Sequence, residues 1–370
     1  MSHPITSKVN VYEPLNQDRK EIRTLTVSPG TENEAIQCVL QTITLSDDPK
    51  PVYETVSYVW GDPSDRGHVF IRGERVDVPA SSEAVIRRMQ YVDTDRVLWV
   101  DAVCINQDDI KERGYQVSIM DRVYLNGARN LIWRGPGELE GDTDQEAKAL
   151  EAVLLDVRKD TNGYTTFYST VYGPTGETLN SLRPFSFPFD HLPLLRFFSS
   201  PWFKRLWVVQ EAVLAPNSLC YRGAYTIPLL EVLRVTIWLV HKSFSKGLKM
   251  PNTIGSASRL FNLWTQTPQS WSRAGKGMGD LLLHSSTCHA KEAKDHAIAF
   301  IGVYRSFNPS AQLPPLLEHP DYEVPLLRIF RDATRFVLEE SCRGLNPIFR
   351  LIEGFSKEHI EAGWPSWVPR

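Results

Sequence analysis

Short apolar runs alternate with amphipathic stretches through the first part of the chain, a pattern that predicts an α/β sheet. Val52–Tyr58 (VYETVSY) is β-prone and ends at the turn-forming Gly61-Asp62-Pro63. Val69–Val78, with Gly73 in its middle, predicts a small hairpin. Ser81 or Ser82 then caps a helix in which Val85 and Met89 recur one turn apart. Arg96–Ile105 (RVLWVDAVCI) has the mostly apolar pattern of a strand buried on both faces; Asp101 interrupts it, and that carboxylate needs a partner. Asp109 with Glu112 forms a capping box ahead of a helix striped by Tyr115, Ile119 and Val123 and ended by Asn126-Gly127. Asn130–Trp133 is the next short strand.

Beyond Gly135 the pattern changes. An acidic helix over about Asp144–Arg158 is followed by a long Gly-, Thr-, Ser- and Pro-rich stretch, so residues 136–195 read as an insertion, partly mobile. Ser200-Pro201 then opens a helix predicted to run to about Leu214, since the serine hydroxyl accepts from exposed amides and proline tolerates the first helical position. On a helical wheel Trp202, Leu206, Val209 and Val213 centre the apolar arc; Gln210 falls inside it and Glu211 at its edge beside Trp207. A buried amide must find hydrogen-bond partners, and a carboxylate at a core edge is a site candidate. The alternative is a solvated Glu211 beside a structurally satisfied Gln210. Ser218–Arg222 is a predicted strand, and the rest after Pro228 is mainly helical, with Val324–Glu340 carrying Leu327, Phe330 and Val337 on one side.

With 370 residues, 42% hydrophobic and 11% aromatic, the chain can bury the core of one large domain or two. A formal net charge of -3 with interspersed signs leaves no electrostatic footprint for nucleic acid or an anionic membrane. The five cysteines, Cys38, Cys104, Cys220, Cys288 and Cys342, are widely spaced and form no CxxC, which implies reduced intracellular thiols. The N-terminus lacks a secretory signal, and no segment approaches the roughly 18 continuous apolar residues of a membrane span, so a cytoplasmic location is expected. Cys288, His289 and His296 match no metal-site spacing. GxSxG, P-loop and GxGxxG motifs are missing, and readings that depend on them lose support.

In open α/β sheets ligands sit beyond the carboxyl ends of strands. That makes Asp101 and Asn106, with Gln107, Asp108 and Asp109, candidate site residues; the competing assignment gives Asp108 and Asp109 to helix capping and Asp101 to a buried hydrogen bond. Ser57, Tyr58, Trp60, Gly61 and Asp62 likewise follow the first of these strands, where an aromatic can stack on a flat ring and a glycine allows close approach.

Taken together, YETVSYVWGD (Tyr53–Asp62), LWVDAVCINQDD (Leu98–Asp109, with Glu112, Gln116, Met120 and Tyr124 following), IWRG (Ile132–Gly135) and RLWVVQEAVLA (Arg205–Ala215) resemble, in order, the blocks of the heterokaryon incompatibility (HET) domain of filamentous fungi. IRTLTVSPG from Ile22, CHAKEAKDHAIAFIGV ending at Val303 and the terminal PSWVPR resemble its flanking parts. Val56 stands where the family usually has alanine or leucine, and relatives tend to continue past Arg370.

HET domains are thought to be distant relatives of TIR domains. VSYVWGD and SSPWFKRLWVVQE resemble the TIR segments that carry a serine, an aromatic, a glycine and an acid, and a glutamate on a helix that is catalytic in NAD+-cleaving members. The resemblance implies a TIR/flavodoxin-like parallel sheet flanked by helices, residues 1–20 a tail, 21–227 the domain and 228–370 a mainly helical extension. It implies a cell-death effector of non-self recognition that cleaves NAD+ as substrate and needs no cofactor. Glu211 would be catalytic, Trp60 or Tyr58 would stack on a ring, Arg205 or Lys204 would meet the pyrophosphate, and Asp101 or Gln210 would hold ribose hydroxyls. A homo-oligomer on activation and an upstream receptor protein are the expected partners. A non-catalytic self-association module and a sensor of an NAD-like ligand are the rival readings.

Overall fold

The computed structural model describes residues 11–46, 48–137, 141–160, 192–246, 277–285 and 288–340. The chain divides into two compact units, residues 1–133 and 134–370.

In the first unit seven strands, β1 (Glu21–Val27), β2 (Gln37–Thr44), β3 (Glu54–Ser57), β4 (Arg66–Ile71), β5 (Glu74–Pro79), β6 (Arg96–Trp99) and β7 (Arg129–Trp133), lie in the order β5-β4-β2-β1-β6-β3-β7. The parallel centre is β6-β3-β7, with Thr55 opposite Trp99 on one side and Asn130 on the other. Around this centre β1 joins β6 antiparallel and β2 joins β1 antiparallel, so the fold is a mixed α/β sheet. Four helices accompany it: α1 (Ala80–Met89), α2 (Asp101–Cys104), α3 (Ile110–Ser118) and α4 (Met120–Asn126). Val85, Ile86 and Met89 of α1, Leu98 and Trp99 of β6, Val123 of α4 and Leu131 and Ile132 of β7 are all fully buried.

The hairpin forms as the sequence predicts. Arg72 and Gly73 adopt φ of 53° and 83°, the two left-handed residues that a two-residue turn matching strand twist requires. Three expectations change. The strand read over Arg96–Ile105 stops at Trp99, because the amides of Val103 and Cys104 turn back to Val100 O and start α2 at Asp101. Ser81 and Ser82 lie inside α1, whose N-cap Pro79 offers no side-chain cap. The stripe Tyr115-Ile119-Val123 crosses a break at Ile119, where ψ is 6°, so two short helices replace one.

The second unit is mainly helical. It comprises α5 (Asp142–Asp160), α6 (Leu192–Phe198), a 3-10 turn (Pro201–Lys204), α7 (Val208–Leu214), the antiparallel hairpin of β8 (Ser218–Arg222) and β9 (Tyr225–Pro228), then α8 (Leu229–Lys246), α9 (Met278–Ser285), α10 (Asp295–Ile298), α11 (Ile301–Phe307), α12 (Pro315–Glu318) and α13 (Leu326–Glu340). Leu150 and Val153 of α5, Phe198 of α6, Val232, Leu233 and Leu239 of α8 and Phe300 and Val303 form its core. The acidic helix of the insertion is α5; residues 161–191 lie outside the described ones. In α13 the buried side is Ile329, Ala333 and Val337, while Leu327 and Phe330 are half-buried, so only Val337 of the expected stripe holds.

The helix predicted over Ser200–Leu214 is broken. Arg205 is extended, at φ -68° and ψ 137°, because Lys204 O accepts from His289 N at 2.6 Å and Leu206 N donates to His289 O at 2.9 Å. A β-bridge to a residue far along the chain thus removes the backbone of 204–206 from helical pairing. Among the described residues Cys38, Cys104 and Cys220 are buried free thiols, each pushed up to about 12 by burial. No helix among them is long and apolar enough to cross a membrane.

Candidate functional site

In the first unit the candidates gather where the chain leaves β3. Ser57 and Tyr58 are buried, and the Tyr58 hydroxyl shares a 2.7 Å hydrogen bond with Ser82 Oγ. Ser81 Oγ donates to Trp60 O at 2.5 Å. The two serines therefore act on the loop rather than as helix caps. The half-buried Trp60 donates its indole N–H to both oxygens of Asp101, at 3.1 and 3.0 Å. This bond is the partner that a carboxylate at the end of an apolar strand requires. Asp101 Oδ1 also accepts from Ala102 N, and Gln107 Nε2 donates to Asp101 O.

Of the two aromatics expected to stack on a ring, Tyr58 is enclosed at 2% exposure and Trp60 alone is part-exposed. Gly61 is exposed at φ 73°, with nothing near the position of a Cβ. Asp62 serves its own turn: Ser64 Oγ and N donate to Oδ1 at 2.7 and 2.8 Å, and these bonds hold the carboxyl below the usual range. Asn106 Oδ1 accepts from Asp108 N, and Asn106 N donates to Glu112 Oε1 at 2.8 Å.

Glu112 does not close the capping box that begins at Asp109. Asp109 still accepts from the amides of Lys111 and Glu112, but the Glu112 carboxylate is held by Arg23, whose Nη1 and Nη2 donate at 2.6 and 2.9 Å. Arg23 is 2% exposed and also donates to Cys104 O and Glu13 O. One buried arginine of β1 thereby fixes the segment from Cys104 to Glu112. The signal in the sequence was an arginine inside the apolar strand Ile22–Val27.

In the second unit Gln210 and Glu211 sit on α7, each 3% exposed. The wheel placed Glu211 at an edge and Gln210 deeper; with the helix beginning only at Val208 the wheel's frame is lost, and both are equally buried. A solvated Glu211 is excluded. Its position in the first turn puts the carboxylate at the positive end of the helix. Arg205 is half-buried beside His289 on the bridge. Trp207, immediately before α7, is tied by its indole N–H to Asp295 Oδ2 at 3.0 Å, and the Tyr322 hydroxyl donates to Asp295 Oδ1 at 2.7 Å. Asp295 is 6% exposed, and burial pushes its carboxyl above the usual value against the pull of those two donors. It is a residue that sequence reasoning missed, inside the block CHAKEAKDHAIAFIGV. Among the described residues no three His, Cys, Asp or Glu side chains gather as a metal site.

The two groups offer different chemistry. Trp60 presents an indole oriented by a carboxylate. Glu211 presents a carboxylate largely withdrawn from water, where a charge acts on a developing cation far more strongly than in solvent.

The family model for "Heterokaryon incompatibility protein (HET)" matches residues 53–211, taking in both groups and ending on Glu211. Among curated proteins, "Heterokaryon incompatibility protein 6, OR allele" of Neurospora crassa is 24% identical over 96% of this chain. The chain spans 58% of the length of that relative. No solved structure matches it. The ordered blocks, the matched region and the Neurospora relative agree in likening residues 53–211 to a HET domain and the chain as a whole to a heterokaryon incompatibility protein.

Proposed function

We propose that the chain is a cytoplasmic cell-death effector of fungal non-self recognition that cleaves the nicotinamide–ribose bond of NAD+, with Glu211 as the acting carboxylate. The biological half rests on the family match and on the name of the Neurospora relative. The chemical half is carried by one observation: Glu211, the counterpart by resemblance of the TIR glutamate, is a 3%-exposed carboxylate in the first turn of α7.

In the proposed reaction the bond from ribose C1′ to the pyridinium nitrogen breaks with both electrons leaving on nicotinamide, which departs neutral. The oxocarbenium ion that remains is stabilised by the Glu211 charge; water adds at C1′ and releases a proton, giving ADP-ribose. NAD+ is the substrate, and no further cofactor is required. Separately, in the first unit, Trp60, held by Asp101, is proposed to offer its ring to a flat ligand. Self-association under an upstream receptor is the proposed trigger.

The test is nicotinamide release by the purified chain, alone and deliberately clustered. Glu211→Gln keeps the shape and removes the charge; it is expected to lower release by roughly two orders of magnitude or more with an unchanged circular dichroism spectrum. Wild-type turnover in that variant, or no release from clustered wild type, overturns the enzymatic reading. Toxicity that survives the substitution points to signalling by assembly.

A further inference from the structure

A 380 Å³ cleft in the second unit is lined by Arg134, Asp142, Arg196, Ser199, Ser200 and Arg222, among others. The three guanidinium groups are not equally provided for. Arg222 is chelated by Glu146, at 2.9 and 3.1 Å. Arg196 reaches Gln145 Oε1 at 2.7 Å and Asp142 at 3.5 Å, and its Nε has no partner. Arg134, 4% exposed, makes no ion pair among the described residues; Glu146, the partner of Arg222, acts on it only electrostatically. Its Nη2 donates to Phe197 O, its guanidinium carbon lies 3.7 and 4.6 Å from the Phe197 and Phe203 ring centroids, and its Nε and Nη1 have no partner.

Among the described residues three cations thus face two carboxylates, and the surplus charge is the most deeply buried one. Burial, with the like charge of Arg222 nearby, pulls Arg134 down to about 9. Unmade hydrogen bonds on a desolvated guanidinium are costly, and a forked donor of this kind matches the oxygens of a tetrahedral or planar anion. The cleft is much larger than a carboxylate needs and falls within the size range of small-ligand sites.

We propose that this cleft binds a phosphate-type oxyanion, free or carried on a small molecule, with Arg134 as the anchoring cation and Arg196 as the second donor. Arg134 and Arg196 both line the cleft, and the Nε and Nη1 of the first and the Nε of the second are the donors left without a partner. The proposal is independent of NAD+ cleavage, because Glu211 is not among the lining residues.

The experiment titrates the full chain with orthophosphate and with AMP, at constant ionic strength against chloride, by calorimetry and thermal unfolding. Wild type is expected to bind and to be stabilised beyond the chloride control. Tighter AMP binding assigns the phosphate to a small molecule, and tighter orthophosphate binding assigns the free ion. Arg134→Met is expected to abolish binding with an unfolding midpoint close to wild type in phosphate-free buffer, and Arg196→Gln, whose side chain is partly exposed, to weaken it by about tenfold or more. Glu211→Gln is expected to bind as wild type. No stabilisation beyond chloride, or wild-type affinity in Arg196→Gln, overturns the proposal even if Arg134→Met does not fold.

Discussion

Arg23 and Arg134 are both withdrawn from water, at 2% and 4% exposure, yet their guanidinium groups meet opposite surroundings. Around Arg23 the first unit places both Glu112 oxygens and the carbonyls of Cys104 and Glu13, leaving only its Nε without a partner. Around Arg134 the second unit places one carbonyl and two phenyl faces. Desolvating a guanidinium costs several kcal/mol, and only good ionic geometry offsets that cost. Arg23 is therefore a charge that builds the fold, closing a loop that holds Asn106. Arg134 is a charge that the protein keeps without completing it, which is the condition of a binding group.

The largest expected effect tests the first half of this contrast. Glu112→Ala leaves Arg23 buried without its carboxylate and frees the Asn106 amide, and is expected to cost about 3–5 kcal/mol in denaturant unfolding. A loss below about 1 kcal/mol would show the pair to be incidental. Arg23 would then be no different in kind from Arg134.

How much of this was legible in the sequence depended on distance along the chain. The hairpin of β4 and β5 was readable because its turn is made by adjacent residues, Arg72 and Gly73. The strand at Ser218–Arg222 was readable for the same local reason; β9 was missed because Tyr225–Pro228 is too short to show a period. Asp101 announced a need for a partner, but nothing local pointed to Trp60. The helix read through Ser200–Leu214 obeyed every local rule for starts and apolar spacing. It failed at Arg205, because His289, a residue far along the chain, takes its backbone partners. Glu211 was a site candidate from its place at the edge of the apolar arc and was given the catalytic role by resemblance, while its burial depends on packing that no wheel contains. The role of Arg134 was hidden in the same way: IWRG was visible as a block, but its phenylalanine neighbours come from Phe197 and Phe203.

The second effect is smaller and tests the other half. Arg134→Met replaces an uncompensated cation by an apolar side chain of similar length. It loses one hydrogen bond and two ring contacts, and gains relief from desolvation, so stability in phosphate-free buffer is expected to stay within about 1 kcal/mol of wild type. A loss as large as that of Glu112→Ala would make Arg134 a structural residue and remove the contrast.

The smallest effect concerns a third way of holding a buried charge. Asp295 has neither a counter-ion like that of Arg23 nor the bare surroundings of Arg134; neutral donors, Trp207 Nε1 and Tyr322 Oη, grip its two oxygens. Burial outweighs these donors and raises its carboxyl above the ordinary value. A raised carboxyl means that the folded state binds a proton more readily than the unfolded state does. The burden of the buried charge is therefore carried in full near neutrality and lifted as pH falls through the folded value toward the unfolded carboxylate range at about 3.9. Asp295→Asn has no such proton to take up. The stability of wild type relative to this variant is thus expected to rise as pH falls from neutral toward that range, read from urea midpoints of the two proteins at each pH. Glu292 and His296 act on Asp295 in opposite senses and are present in both proteins, so the difference isolates Asp295. A difference that shrinks on acidification would mean that the two donors outweigh burial, placing Asp295 with Arg23 among the charges held by strong partners.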